Sequence, residues 1–318
     1  MPVVAAASRA VRGLRPVATA TAGRPAARLL ASQLAGSPEL LELPLDRPRG
    51  LTASFVGATT TSHIDSGLHA DLVKLARDTG TTLFMVVQAA LATLLNALGA
   101  GTDIPLGTVV AGRSDSALDD LVGFFVNTLV LRTDVAGNPT FRDLLSRVRD
   151  VDLAAFANQD VPFELVVERV NPARSLAHHP LFQVMVILQG TDAGSVEMPG
   201  LAGTVEDLDT GVAKFDLSFN LRESADGIEC SLEYATDLFD PATADALLSR
   251  LITVLRAVAT EPSTPVGAVE VLTPRRTAPR PGRVECLRRG RPPAHRAGTL
   301  HPPGRGNPER SRLVLRRG

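Results

Sequence analysis

Between residues 57 and 258 the hydrophobic positions switch repeatedly between a period of two and a period near 3.6, as strands alternating with helices require. GATTTSHI at 57–64 reads as a strand. Ser66 follows as the N-cap of a helix that turns Leu68, Leu72, Leu75 and Ala76 inward and stops at Gly80. LFMVVQAALATLLNAL at 83–98 is apolar on nearly every side, broken only by Gln88, Thr93 and Asn96. At that length it is short for a membrane span, and a helix buried in a core is expected.

IPLGTVVAG (104–112) and FFVNTLVLRTD (124–134) are strand-like. Asn138-Pro139 offers an N-cap and a first-turn proline for a helix with Phe141, Leu144, Leu145, Val148 and Phe156 at helical spacing. A break at NQDVPFE (158–164) precedes a short helix, and LFQVMVILQ (181–189) is the next strand. In 214–234, Phe215, Leu217, Phe219 and Leu221 alternate on one face, and Ile228, Cys230, Leu232 and Tyr234 match them beyond ESADG, a hairpin signal. Asp240-Pro241 begins a last helix with Leu247, Leu248, Leu251, Leu255 and Val258 on one side. These elements predict a mixed α/β fold with a sheet covered by helices.

Charge divides the chain. Residues 1–36 carry five Arg and no acid, residues 275–318 carry 13 Arg and two acids, and the body between them sums to −17. Ala/Arg-rich residues 1–33 read as a basic leader, disordered or translated out of frame, and they lack the apolar core of a secretory signal. The Arg/Pro/Gly-rich tail 275–318 has no hydrophobic periodicity and reads as disordered and out of frame. The folded part is placed at 34–274. The tail has no Lys, aromatic residue or nucleic-acid motif, so no nucleic-acid partner is expected, and none is expected in a membrane. Two cysteines, Cys230 and Cys286, exclude a disulfide scaffold and fit a cytoplasmic setting.

Catalytic motifs are few. GxSxG, Walker, GxGxxG and HExxH patterns are all missing. Of six histidines, His295 and His301 lie in the tail, His63 leads out of a strand, and His69 is placed on a solvent-facing helix position. His178 and His179 form the chain's one adjacent histidine pair, yet Pro, Leu, Phe and Gln follow them. That context suits a strand entry better than a metal site, and no metal is expected.

Three stretches together resemble the later core motifs of condensation domains from nonribosomal peptide synthetases. VGFFVNTLVLR (122–132) is similar to G-x-F-V-N-T-x-x-x-R. NQDVPFE is similar to H-Q-D-x-P-F-E, with Asn158 for the usual His. NPARSLAHHPLFQV (171–184) is similar to R-x-x-x-x-x-P-L-F-Q. LPLDRPR (43–49) and VAGRSDSALDDLVG (110–123) fit in order and spacing.

The resemblance implies a chloramphenicol-acetyltransferase-like fold, two α/β lobes around a tunnel, of which this chain would be the C-terminal lobe. It implies amide formation between an aminoacyl or peptidyl thioester and the amine of a second amino acid. Both would be carried on the phosphopantetheine of peptidyl carrier protein domains, with no cofactor bound directly. Other synthetase modules and a missing N-terminal lobe would be further partners.

By that resemblance Arg113, Asn127, Gln159 and Arg174 are tunnel or motif residues, Arg113 being the arginine that pairs with an aspartate of the other lobe. The family's acid/base motif, H-H-x-x-x-D-G, is absent, because 178–184 read H-H-P-L-F-Q-V. No catalytic residue is therefore expected here, and the chain is expected to be inactive alone. The alternatives are half of a split enzyme, or a noncatalytic module that binds carrier domains.

Overall fold

The structure, a computed structural model, describes residues 23–113, 118, 123–190, 195–198, 201–204 and 210–271. The elements are α1 (Gly23–Gln33), β1 (Gly57–Asp65), α2 (Ser66–Thr79), α3 (Leu83–Ala97), β2 (Asp103–Val110), β3 (Asn127–Asp134), α4 (Phe141–Phe156), α5 (Phe163–Val170) and β4 (Val184–Gln189). They continue with β5 (Ser195–Met198), β6 (Leu201–Thr204), β7 (Leu217–Ser224), β8 (Gly227–Ala235) and α6 (Pro241–Thr260).

Among the described residues six strands make one mixed sheet in the order β1-β8-β7-β4-β2-β3, and β5 pairs with β6 separately. The expected hairpin is there: Leu217 opposes Tyr234, Phe219 opposes Leu232 and Leu221 opposes Cys230. β4 runs parallel to both β7 and β2. Successive strand residues face opposite ways, so Val184 and Val186 enter a large core with α2, α3, α4 and α6. Met185 and Ile187 enter a second cluster with Leu129, Leu131, Phe182 and the apolar sides of α1 and α5. α3 runs through the large core, with Met85 to Leu95 all buried. Among the described residues no single helix is long and apolar enough to cross a membrane.

Several expectations are corrected. Within the 1–33 stretch expected to be a disordered or out-of-frame leader, residues 23–33 are ordered as a helix. α1 is helical, and its stripe of Ala27 and Leu30, continued by Leu34 just beyond it, is buried in the second cluster. Acid-free composition hid that helical periodicity. Residues 1–22 and the tail 275–318 lie outside the described residues. Asp65, not Ser66, caps α2 by accepting from Leu68 N at 2.9 Å. Thr140, not Asn138, caps α4, while left-handed Asn138 accepts from Gly267 N at 2.7 Å. Asp240 sits at the N-cap of α6 without a side-chain cap bond, because it pairs with Arg47. His69 is not turned to solvent: its Nε2 lies 2.9 Å from Glu223 Oε1 beside the hairpin.

Gly107 shows how tightly the sheet meets the second cluster. A Cβ there would stand 2.2 Å from the ring of Phe182, which is fully buried. Gly107→Ala is expected to destabilise the chain by about 1–3 kcal/mol. Chemical denaturation measures this loss, and a second change, Phe182→Leu, recovers part of it.

Candidate functional site

The motifs within the described residues are built into junctions between elements, while most of VAGRSDSALDDLVG (114–117 and 119–122) lies outside them. In LPLDRPR, Asp46 accepts from Asp240 N at 2.7 Å and from Thr243 Oγ1 at 2.9 Å, which serves the start of α6. Arg49 reaches the start of β7. Its Nη1 donates to Asp216 Oδ1 at 2.9 Å and to Ala177 O at 3.2 Å, and its Nη2 donates to Asp216 Oδ2. The pair is nearly buried, with the Arg49 side chain 13% exposed and that of Asp216 8%. A planar guanidinium meeting both carboxylate oxygens fixes orientation as well as charge.

Gln183 of the P-L-F-Q run is buried and ties down the chain before LPLDRPR. Its Oε1 accepts from Leu41 N at 2.9 Å, while Nε2 donates to Glu39 O at 3.1 Å and His179 O at 3.2 Å. Leu181 turns the backbone at φ +71° to bring the run into β4, an uncommon conformation for a branched residue.

These segments surround a cavity of about 400 Å³, lined among others by Arg49, Phe55, Leu176, His178, His179, Phe215 and Asp216. Its size and mostly apolar lining over a few convergent polar groups are those of ligand pockets. His179 stands in an aromatic wall. Its ring centroid lies 4.4 Å from that of Phe182, 5.0 Å from Phe215 and 5.6 Å from Phe163. Burial, aided by the neighbouring His178, holds its pKa below the ordinary imidazole range, against hydrogen bonds to backbone carbonyls. Its Nδ1 lies 2.7 Å from Pro180 O and donates to that carbonyl. The pair therefore does more than lead into a strand, since His179 forms part of the pocket wall.

Asn127 and Gln159 come together. Asn127, the first residue of β3, donates from Nδ2 to Gln159 O and to Val161 O, both at 2.7 Å, and accepts from Phe163 N at 3.1 Å. α5 begins at Pro162 with no side-chain cap of its own, so Asn127 supplies that cap from another element. One side chain thus locks the V-N-T motif to the Q-D-V-P-F-E motif.

The other two expected residues stand apart from this lock. Arg113 donates to Leu118 O, and its guanidinium carbon lies 4.5 Å from the centre of the Phe125 ring. Arg174 is exposed in the segment between α5 and β4.

Sequence reasoning passed over Arg49, Asp216, Gln183 and Arg132. Arg132, which ends the G-x-F-V-N-T-x-x-x-R motif, pairs with Asp103 through Nε and Nη2 and caps the end of α1 through Gln33 O and Ala35 O. Its place in the motif was the available signal. Arg49 had the same signal, closing LPLDRPR. Among the described residues no cluster of three or more His, Cys, Asp or Glu could hold a metal.

Comparison with known proteins agrees with the motifs. The family model described as "Condensation domain" matches residues 31–279. The chain is 54% identical over 242 residues to a probable non-canonical nonribosomal peptide synthetase of Salinispora arenicola, covering 76% of this chain and 3% of that protein. It is 47% identical over 259 residues to a dimodular nonribosomal peptide synthase of Bacillus subtilis, covering 77% of this chain and 11% of that protein. The chain thus spans only a small part of these curated relatives.

Among solved structures, the X-domain in complex with OxyB from teicoplanin biosynthesis superposes with a TM-score of 0.72 at 34% identity, over 79% of this chain and 56% of that one. The first condensation domain of the CDA synthetase gives a TM-score of 0.70 at 18% identity, over 83% of this chain and 57% of that one, a likeness of fold. The mixed sheet with its helices is the chloramphenicol-acetyltransferase-like arrangement of these domains. The chain belongs to the condensation domain family of nonribosomal peptide synthetases.

Proposed function

We propose that this chain is the C-terminal lobe of a condensation domain and forms no amide by itself. The family reaction joins a carrier-bound aminoacyl or peptidyl thioester to the amine of a carrier-bound amino acid. The observation that carries the reading is the fate of the chain's one adjacent histidine pair. His178 and His179 run on into P-L-F-Q, His179 packs against three phenylalanines in the pocket wall with Nδ1 committed to Pro180 O, and no H-H-x-x-x-D-G motif exists elsewhere in the 318 residues. A general base must reach the proton that it removes, so that role falls to a second lobe.

In this reading residues 34–274, extended at the front by α1, form the lobe, while the basic ends play no part in the chemistry. Asn127 positions the segment through Gln159, and Arg113 and Arg174 stand on the side that meets substrate or the second lobe. Peptidyl carrier domains bring both substrates on phosphopantetheine, neighbouring synthetase modules supply those carriers, and the cytoplasm is the setting. No metal, membrane or nucleic acid takes part.

The experiment incubates the purified chain with a loaded donor carrier and a loaded acceptor carrier, with and without a separately expressed lobe bearing H-H-x-x-x-D-G. The expected result is no condensed product from the chain alone, by mass spectrometry of the carrier-bound species. Product formed without the second lobe overturns the reading. Product formed only with it shows that the chain works as half of a split enzyme. Translation of the flanking DNA in all frames complements the assay: H-H-x-x-x-D-G upstream in another frame supports an interrupted gene, and its absence counts against one.

A further inference from the structure

A polar cluster lies where α3, β3 and α4 meet, away from the pocket. Gln88, Thr133 and Asp152 are each at most 1% exposed. Gln88 Nε2 donates to Asp152 Oδ1 at 3.1 Å and to Thr133 Oγ1 at 3.2 Å. That leaves two oxygens, Gln88 Oε1 and Asp152 Oδ2, fully buried with no hydrogen-bond partner. Two acceptors cannot satisfy each other, and an unpaired buried polar atom is costly. A single proton on the carboxyl resolves both, because an acid and a primary amide then pair through two hydrogen bonds.

We propose that Asp152 is carried in the native chain as a neutral carboxylic acid whose Oδ2–H donates to Gln88 Oε1, and that loss of this proton loosens α4 from α3 and β3.

The charge around the site offers the ionised form no support. α3 has no charged residue. On β3, Arg132 is paired with Asp103 and Asp134 with Arg147. α2, which also touches α4, brings Asp71, Lys74, Arg77 and Asp78, together with His69, whose ring lies against Glu223. α4 itself carries Arg142, Asp143, Arg147, Arg149 and Asp150, with Asp143 accepting from Thr140 and Arg149 facing Asp150 at 3.9 Å. None of these groups bonds to Asp152, whose hydrogen bond goes to Gln88. Burial accordingly pushes the Asp152 carboxyl up to about 7, with the Gln88 amide pulling the other way.

The sign follows directly. An unfolded chain releases this proton near the ordinary value of 3.8, whereas the folded chain keeps it to about 7. The contribution to stability is complete in acid and is lost as pH rises through that window. Asp152 stands one turn before the end of α4, which runs into the Gln159–Phe163 segment held by Asn127. Ionisation at this point therefore reaches the motif junction.

The test compares the full chain with Asp152→Asn, which mimics the neutral acid because its amide both donates and accepts. The difference in melting temperature between the two, followed from pH 4.5 to 8.5, is expected to widen in favour of the variant, by an amount on the order of 10 °C. Hydrogen exchange in α4 and in 157–163, corrected for intrinsic rates, rises with pH in the unaltered chain alone. Parallel melting curves overturn the proposal. Should the variant fail to fold, infrared titration of the unaltered chain decides. A protonated-carboxyl stretch persisting at pH 6 and gone by pH 8.5 supports the proposal, and its absence at pH 6 overturns it.

Discussion

Asp216→Ala is expected to cost about 3–5 kcal/mol of unfolding free energy. The change removes the carboxylate that holds Arg49 and leaves a guanidinium nearly buried, with Nε already lacking a partner. The remaining bond from Nη1 to Ala177 O is neutral and cannot replace the lost charge. The two halves of the pair join residues far apart in sequence, so their separation also frees the LPLDRPR segment from the start of β7.

Replacing both residues together, as Arg49→Met with Asp216→Leu, is expected to restore most of the stability. A buried ion pair pays heavily for desolvation, and apolar residues of similar volume do not. Urea denaturation of the two single variants and the double variant measures the coupling. Equal and additive losses would mean that the pair is solvated and that the pocket is open on this side.

Asn127→Ala is the second large effect, with an expected loss of about 2–4 kcal/mol. Three backbone groups lose their partner at once: Gln159 O, Val161 O and Phe163 N. The first turn of α5 then has no cap, and the junction between the two motifs depends on apolar contact alone. Asn127→Asp is expected to recover little. It keeps an acceptor for Phe163 N but presents oxygen to two carbonyl oxygens. Denaturation gives the loss, and proteolysis within 157–163 should become faster in both variants. In the two-lobe assay both should lower product formation even where the chain remains folded, since the segment shifts as a unit.

The sequence made the architecture plain where one face of an element is buried and the other is not. β8 is the clearest case, with Ile228, Cys230, Leu232 and Tyr234 inside and Glu229 outside. α3 was legible for the opposite reason, being apolar all round. Caps were misplaced by a residue or two because Ser, Asp, Asn and Thr crowd the same turns, and tertiary contacts choose among them. Asn138 prefers Gly267 and Asp240 prefers Arg47, and neither partner is near in sequence.

The motifs named the family but not the work of each residue. Asn127 was singled out by pattern, and its three bonds became apparent only when Gln159 and Phe163 were brought beside it. Arg49 and Asp216 lie 167 residues apart, and spacing alone cannot pair them. His179 looked like a strand entry because its aromatic partners, Phe163 and Phe215, come from other elements.

The position of β1 bears on how the lobe is made. Among the described residues it is the first strand, and its neighbour in the sheet is β8, the last. Translation delivers β1 before β8, and about 160 residues of chain separate the two partners. During that interval a threonine-rich segment waits with its backbone unpaired, a state that favours association between nascent chains. The sheet can close only when the final hairpin has emerged, so a transcript stopped short of Ala235 would yield a chain with no completed rim.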